Sequence, residues 1–195
     1  MLVALTNMNR VSRAPNLAVD AMTSFSTLRV QARPGNRTQG WLAAGPHHLK
    51  VALGRGGIRA NKREGDGGTP RGSFRLIRLW WRPDRGPCPA TRLPVRRITA
   101  SDAWCEDPAD RRYNQHVVRA SGMPGDRLRR DDHLYDLIIE IDHNTRPRIA
   151  GRGSAVFLHV ARPGFAPTAG CVAFAAPALR RLLARLGPKT RITIQ

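Results

Sequence analysis

A histidine and a cysteine, His159 and Cys171, stand twelve residues apart in the segment Phe157-Leu158-His159-Val160 … Thr168-Ala169-Gly170-Cys171-Val172. A thiol becomes an effective nucleophile when a neighbouring imidazole takes its proton or stabilises its thiolate. Gly170, directly before the thiol, permits a strained turn and a close approach of backbone to an incoming carbonyl. The turn opens at Thr168, and the backbone N–H groups of Gly170 and Cys171 at its end are candidate oxyanion donors. Together these groups suit covalent acyl transfer. The alternative reading makes His159 a hydrogen-bonded core histidine and Cys171 a small buried hydrophobe. Spacing alone does not separate the two.

Both side chains need elements to hold them. Ala155-Val156-Phe157-Leu158 is an apolar run that reads as a short buried strand ending at His159. Cys171 is followed by Val172-Ala173-Phe174, then by a helical segment that opens near Pro177 and ends at Leu186-Gly187. Upstream, residues 28–32 alternate as a half-buried strand, 41–44 and 49–53 flank a Gly45-Pro46 turn, and 74–81 follow a glycine-rich loop. Within that loop, Gly54 to Gly72, the stretch Gly65 to Gly72 lacks the Gly-Lys-Ser/Thr ending of a phosphate loop. Residues 135–141 make the clearest strand, and 190–194 the last.

Residues 82–132 are long, Pro-rich and polar, and read as an insertion covering the site. Trp104, Tyr113, Asn114 and His116 lie there, as packing groups rather than substrate contacts. His143, a rival base, stands in a polar turn better suited to solvation than to catalysis. Residues 1–27 show no periodicity and read as a disordered extension, with Met22 as an alternative start. The pattern predicts one mainly β domain over residues 28–195 with a single late helix.

Three motifs resemble the L,D-transpeptidase catalytic domain family, the YkuD-like fold. Thr168-Ala169-Gly170-Cys171-Val172, with His159 upstream, is similar to its Ser/Thr-x-Gly-Cys-Ile/Val signature. Thr69-Pro70-Arg71-Gly72-Ser73-Phe74 resembles its Thr-Pro-x-Gly-x-Phe segment, and Gly153-Ser154-Ala155-Val156-Phe157-Leu158-His159 its Gly-Ser-Ala-Ile-Phe-Leu-His form. The resemblance implies a β-sandwich or barrel-like fold with the active cysteine on the loop before the helix, and no cofactor or metal. It implies Cys171 as nucleophile and His159 as acid/base, the imidazole oriented by a backbone carbonyl. The implied partner is a peptidoglycan stem peptide, in the periplasm or cell envelope, and the implied inhibitor a carbapenem. Cys171 would form a thioester with a diaminopimelate carbonyl and pass it to an amine.

Two positions depart from that pattern. Val160 replaces a glycine after the histidine, and Ala173 replaces an arginine two residues beyond the cysteine. Arg152 and Arg162 are the candidates to supply the missing charge for substrate binding. Alanine at this position is associated with hydrolysis in some branches. An L,D-carboxypeptidase or endopeptidase using the same Cys/His pair is therefore the alternative to the transpeptidase.

Bulk composition narrows the partners. The 195-residue chain has a net charge of +19, and of its 33 basic residues only Lys50, Lys62 and Lys189 are lysines. So one-sided a use of arginine reads as coding bias. The charge alone would suit a non-catalytic module binding anionic polymers, the third reading. No basic run interleaved with aromatics, helix-turn-helix or zinc-finger pattern points to nucleic acid. No apolar run approaches the roughly 20 residues that span a bilayer. The N-terminus turns polar by Thr6-Asn7, too early for an export signal, which conflicts with a cell-wall substrate. Cys88, Cys105 and Cys171 include no Cys-x-x-Cys, so a zinc site is not expected. Cys88 and Cys105 read as unrelated thiols, or as a pair in an oxidising compartment. A monomer is expected.

Overall fold

Alternating residues in the first part of the chain fold as three antiparallel strands: β1 (Thr27–Arg33), β2 (Asn36–Ala44) and β3 (His47–Ala52). The structure, a computed structural model, describes residues 24–119 and 125–195. The short strands β4 (Ile58–Arg59) and β5 (Thr69–Pro70) pair in parallel across the glycine-rich loop, and β6 (Gly72–Trp81) leaves it. Next come β7 (Val95–Arg97), β8 (Asp102–Trp104), β9 (His116–Val118) and β10 (Asp126–Arg127). The last part of the chain holds β11 (Leu137–Ile141), β12 (Phe157–Val160), β13 (Val172–Phe174), helix α1 (Ala176–Leu183) and β14 (Arg191–Ile194).

The main sheet runs β11-β12-β13-β3-β2-β1-β14-β6-β7, and β6 also pairs with β11. Its ends therefore meet. Eight strands close into a barrel-like sheet, and β7 is appended to the far part of β6. Strand alternation sorts side chains between two apolar clusters. Leu137, Ile139 and Ile141 of β11 join the interior with Leu158, Val160, Val172 and Phe174. Ile138 belongs instead to an outer cluster of Trp80, Trp104, Tyr135, Phe157 and Cys171. This double burial explains why Leu137, Ile138 and Ile139 are apolar without alternation, with the half-buried Glu140 interrupting the run.

Helix α1 begins with proline in its first turn and buries Leu179, Leu182 and Leu183, the three/four spacing of one helix face. It ends three residues before Leu186, because the N–H groups of Arg185 and Leu186 turn back to Leu182 and Leu183. Truncating any of these buried leucines to alanine costs about 2–5 kcal/mol.

The described residues of the 82–132 segment, 82–119 and 125–132, are more ordered than their composition suggests. There β8, β9 and β10 form a separate sheet in the order β10-β8-β9. Asp102 anchors it, accepting from the Thr99 N–H at 2.7 Å and bonding His116 Nε2 at 2.6 Å. Strands of two or three residues are too short to show periodicity, which is why the sequence reads as loop. Residues 1–23 of the expected extension, with Met22, lie outside the described residues, and Thr27 already belongs to β1. Cys105 is buried, Cys88 is exposed, and no disulfide joins them. No helix among the described residues is long and apolar enough to cross a membrane.

Candidate active site

The register of two parallel strands brings the thiol and the imidazole together. β12 and β13 pair with Leu158 opposite Val172 and His159 opposite Ala173. Cys171 lies two residues before Ala173, so it is a diagonal neighbour of His159, at a backbone separation on the order of 7 Å. Leu158 and Val160 face the interior, which leaves His159 and Cys171 on the outer face under the β8–β10 sheet. Both line a cleft of about 230 Å³.

Burial sets the charge state of each. His159 is buried and its Nδ1 lies 2.8 Å from the Val160 carbonyl. A carbonyl can only accept, so Nδ1 carries the proton and Nε2 keeps its lone pair. Burial pushes the imidazole down to about 4, against the Val160 bond that favours its charged form. The Cys171 thiol donates to the Ala155 carbonyl at 3.2 Å and accepts from the Phe157 N–H at 3.3 Å. Burial pushes it up to about 12, with the Phe157 bond opposing and the charges of Asp126 and Glu106 adding. At neutral pH the resting pair is therefore thiol and imidazole, not thiolate and imidazolium. Forming a bare thiolate in that state costs on the order of 7 kcal/mol, so proton removal must accompany attack.

The turn before the nucleophile is braced on both sides. Thr168 Oγ1 donates to the Cys171 carbonyl at 2.7 Å and accepts from the Gly170 N–H at 3.1 Å. The Gly170 N–H is thus engaged inside the turn, and the turn makes no such use of the Cys171 N–H. Behind it, Gly54 bridges Thr168, while Thr69 Oγ1 accepts from the Gly54 N–H at 2.8 Å. The Thr-Pro segment at 69–70 is therefore a support for the nucleophile's turn. Gly170 has φ +145, and a Cβ there would stand 2.8 Å from the Gly68 carbonyl oxygen. No other residue fits without moving the loop.

On the opposite wall Ala155 adopts φ +49, a left-handed conformation that costs a non-glycine residue about 1–2 kcal/mol. Buried Asn114 holds it: Oδ1 accepts from the Ala155 N–H at 3.2 Å and from Trp104 Nε1 at 3.0 Å. Asn114 Nδ2 donates to the carbonyls of His143 and Asn144, at 3.0 Å each. Ser154 Oγ donates to Glu64 at 2.7 Å, and the Tyr113 hydroxyl donates to the same carboxylate while accepting from the Gly153 N–H. The polar residues of the 82–132 segment therefore position the loop that touches the thiol.

The cleft is lined by both signs of charge: Arg55, Lys62, Arg130 and Arg162 against Glu64, Glu106 and Asp126. Desolvation among the crowded groups of the cleft raises Glu106 to about 7, with Asp126 and Glu64 adding like charge. Of the two arginines singled out in the sequence, Arg162 lines the cleft, whereas Arg152 does not. The Arg152 carbonyl instead accepts from His143 Nε2 at 3.2 Å. His143 also lies outside the cleft, with its ring edge-on to Phe74. Ala173, where the arginine would stand, is fully buried beside His159. Sequence reading missed Lys62, Glu64 and Asp126. For Lys62 and Glu64 the one signal was the density of charge in the loop carrying the Thr-Pro segment, and for Asp126 there was none, because their approach to Cys171 depends on long-range contacts. Among the described residues no group of His, Cys, Asp or Glu is arranged to hold a metal ion.

No curated protein and no solved structure matches the chain. The family model of the L,D-transpeptidase catalytic domain (YkuD) matches residues 29–194, from β1 to β14. That span includes every element just described, and the chain belongs to the L,D-transpeptidase catalytic domain family.

Proposed function

We propose that this protein is a peptidoglycan L,D-transpeptidase with Cys171 as nucleophile and His159 as acid/base. The family supports a peptidoglycan substrate at the cell envelope, and on this reading the substrate is a stem peptide met in the periplasm or cell envelope. The observation that carries the reading is His159 Nδ1 held at 2.8 Å by the Val160 carbonyl, in the cleft that also holds Cys171. That bond leaves Nε2 as the base. As the thiol sulfur bonds the diaminopimelate carbonyl carbon, its proton passes to Nε2. The tetrahedral adduct collapses with scission of the peptide C–N bond, and the imidazolium returns the proton to the departing amine of D-alanine. An acceptor amine then attacks the thioester, losing a proton to Nε2, and Cys171 leaves and is reprotonated. The Cys171 N–H is the backbone donor for the oxyanion, with Thr168 and Gly170 shaping the turn and Arg162 a binding group for substrate carboxylate.

One observation favours a hydrolytic second reading. Buried Ala173 stands beside His159, so that position has no cation to bind the acyl donor or hold the turn. Water would then resolve the thioester, giving an L,D-carboxypeptidase or endopeptidase. Incubation with a tetrapeptide donor and excess amine acceptor tests both readings. Cross-linked dimers are expected to dominate. A mixture dominated by released D-alanine and trimmed monomers even at high acceptor concentration would establish the hydrolase, and unchanged peptides would leave only a binding module.

A further inference from the structure

Lys62 is only 6% exposed and lies in the cleft wall beside the nucleophile's turn. Its ammonium donates to the Arg63 carbonyl at 2.6 Å and to Asp66 Oδ1 at 2.6 Å. An ammonium has three protons, and hydrogen bonds to the described residues occupy these two alone. The stem is clamped from both sides. A Cβ on Gly153 would lie 2.9 Å from Lys62 Cγ, and one on Gly170 would lie 3.6 Å from Lys62 Cε. The charge is thereby fixed between the residue preceding Cys171 and the loop whose Ala155 carbonyl accepts the thiol's hydrogen bond. Asp66 remains ionised: burial would raise it, but bonds from Lys62 and from the Arg63 and Gly68 N–H groups hold it below its usual value. The other cation buried to this degree, Arg82, is paired with Asp84 and does not line the cleft.

We propose that Lys62 is a positioning residue of this site, a fixed positive charge behind the Gly170–Cys171 turn that favours the Cys171 thiolate as His159 draws off its proton. The thiol proton still goes to His159 Nε2, and Lys62 keeps its own. Around the thiol, burial and the charges of Asp126 and Glu106 oppose ionisation, and the charge of Lys62 works in the other direction as the smallest of these effects. Burial weakens the solvent screening that would cancel such a field at the surface. The role in turnover rests on the acyl-transfer reading above, but the effect on the thiol does not.

The test is the rate of Cys171 alkylation by iodoacetamide between pH 7 and 10, with the adduct located by mass spectrometry. In the double variant Lys62→Met/Asp66→Asn both charges go together, so no buried carboxylate is left unpaired. Alkylation is expected to slow about 3- to 10-fold at every pH, less than for loss of an unpaired opposite charge because the Asp66 charge goes with it, with the unfolding midpoint close to wild type. Asp66→Asn alone keeps the ammonium and removes its counter-charge, so alkylation should become faster than wild type. A wild-type rate in the folded double variant overturns the proposal, and so does slowed or unchanged alkylation in Asp66→Asn, which decides the matter should the double variant not fold. Failure of the acyl-transfer reading is separately visible, as a wild-type protein that leaves muropeptides unchanged while its alkylation still follows these variants.

Discussion

The Cys171 thiol donates to the Ala155 carbonyl at 3.2 Å, so in the resting site its proton is held by strained backbone and not by His159. Nucleophile and base are two neutral groups waiting for substrate to bring them into line. This differs from sites that store a preformed thiolate–imidazolium pair, and it makes the thiol protected rather than reactive at rest.

It follows that the two residues fail differently when removed. Cys171→Ala is expected to abolish turnover and carbapenem acylation while leaving the fold intact, since one small buried side chain replaces another. Intact-mass analysis checks it. An adduct on Cys88 or Cys105, or none on the wild type, would contradict the assignment.

His159→Ala should lower the acylation rate by roughly two to four orders of magnitude, the range for a positioned general base. Iodoacetamide alkylation of Cys171 in the free protein should change far less, because the imidazole does not hold the resting thiol proton. His143→Ala, outside the cleft, should cost little turnover. Equal losses from the two histidine variants would mean that the base has been misassigned.

Asn114→Ala tests whether the 82–132 segment supports the thiol's loop. It leaves the N–H groups of Trp104 and Ala155 and two backbone carbonyls without their partner. Each unsatisfied buried group costs about 1–3 kcal/mol, partly recovered where water enters. A destabilisation of about 2–4 kcal/mol in denaturant unfolding is expected, with slower acylation by the remaining folded protein. Unimpaired acylation would detach this segment from the site.

Stability should depend on pH at both ends, with opposite causes. His159 falls from its ordinary 6.5 to about 4 on folding, so the unfolded chain binds the proton first as the solution is acidified. Its neutral burial leaves stability intact above pH 6.5 and withdraws on the order of 3 kcal/mol as the pH falls toward 4. Cys171 rises from 9 to about 12, so its contribution is intact below pH 9 and is lost as the pH climbs toward 12. Unfolding midpoints measured across pH should therefore plateau between about 7 and 9. His159→Ala should make the acid limb shallower: His143, which burial also lowers to about 4, and the lowered Asp66 still act in the same direction, and Glu106, raised to about 7, in the opposite one.

The legible parts of the molecule were those encoded over short distances. The alternation of residues 28–32 became β1, the proline-to-glycine punctuation after Cys171 became α1, and the apolar run before His159 became β12 shifted by two residues, Phe157–Val160, because Ala155 takes a left-handed turn. The Gly170–Cys171 turn was readable because a thiol after a small-residue turn is a local arrangement. The bracing of that turn was not, because Gly54, Thr69 and Thr168 meet only when β3 and β13 pair. Arg152 illustrates the converse: near the site in sequence, it contributes a backbone carbonyl to His143 outside the cleft.

The parallel pairing of β1 with β14, which in turn pairs with β6, has a consequence for biosynthesis. The circuit of strands cannot close until Arg191–Ile194 has left the ribosome, so the barrel is completed after translation of the domain rather than during it. Until then β1 and β6 present open edges, the kind that recruit strands from other chains. Removing the last five residues should accordingly yield aggregates, even though no residue of the cleft is lost.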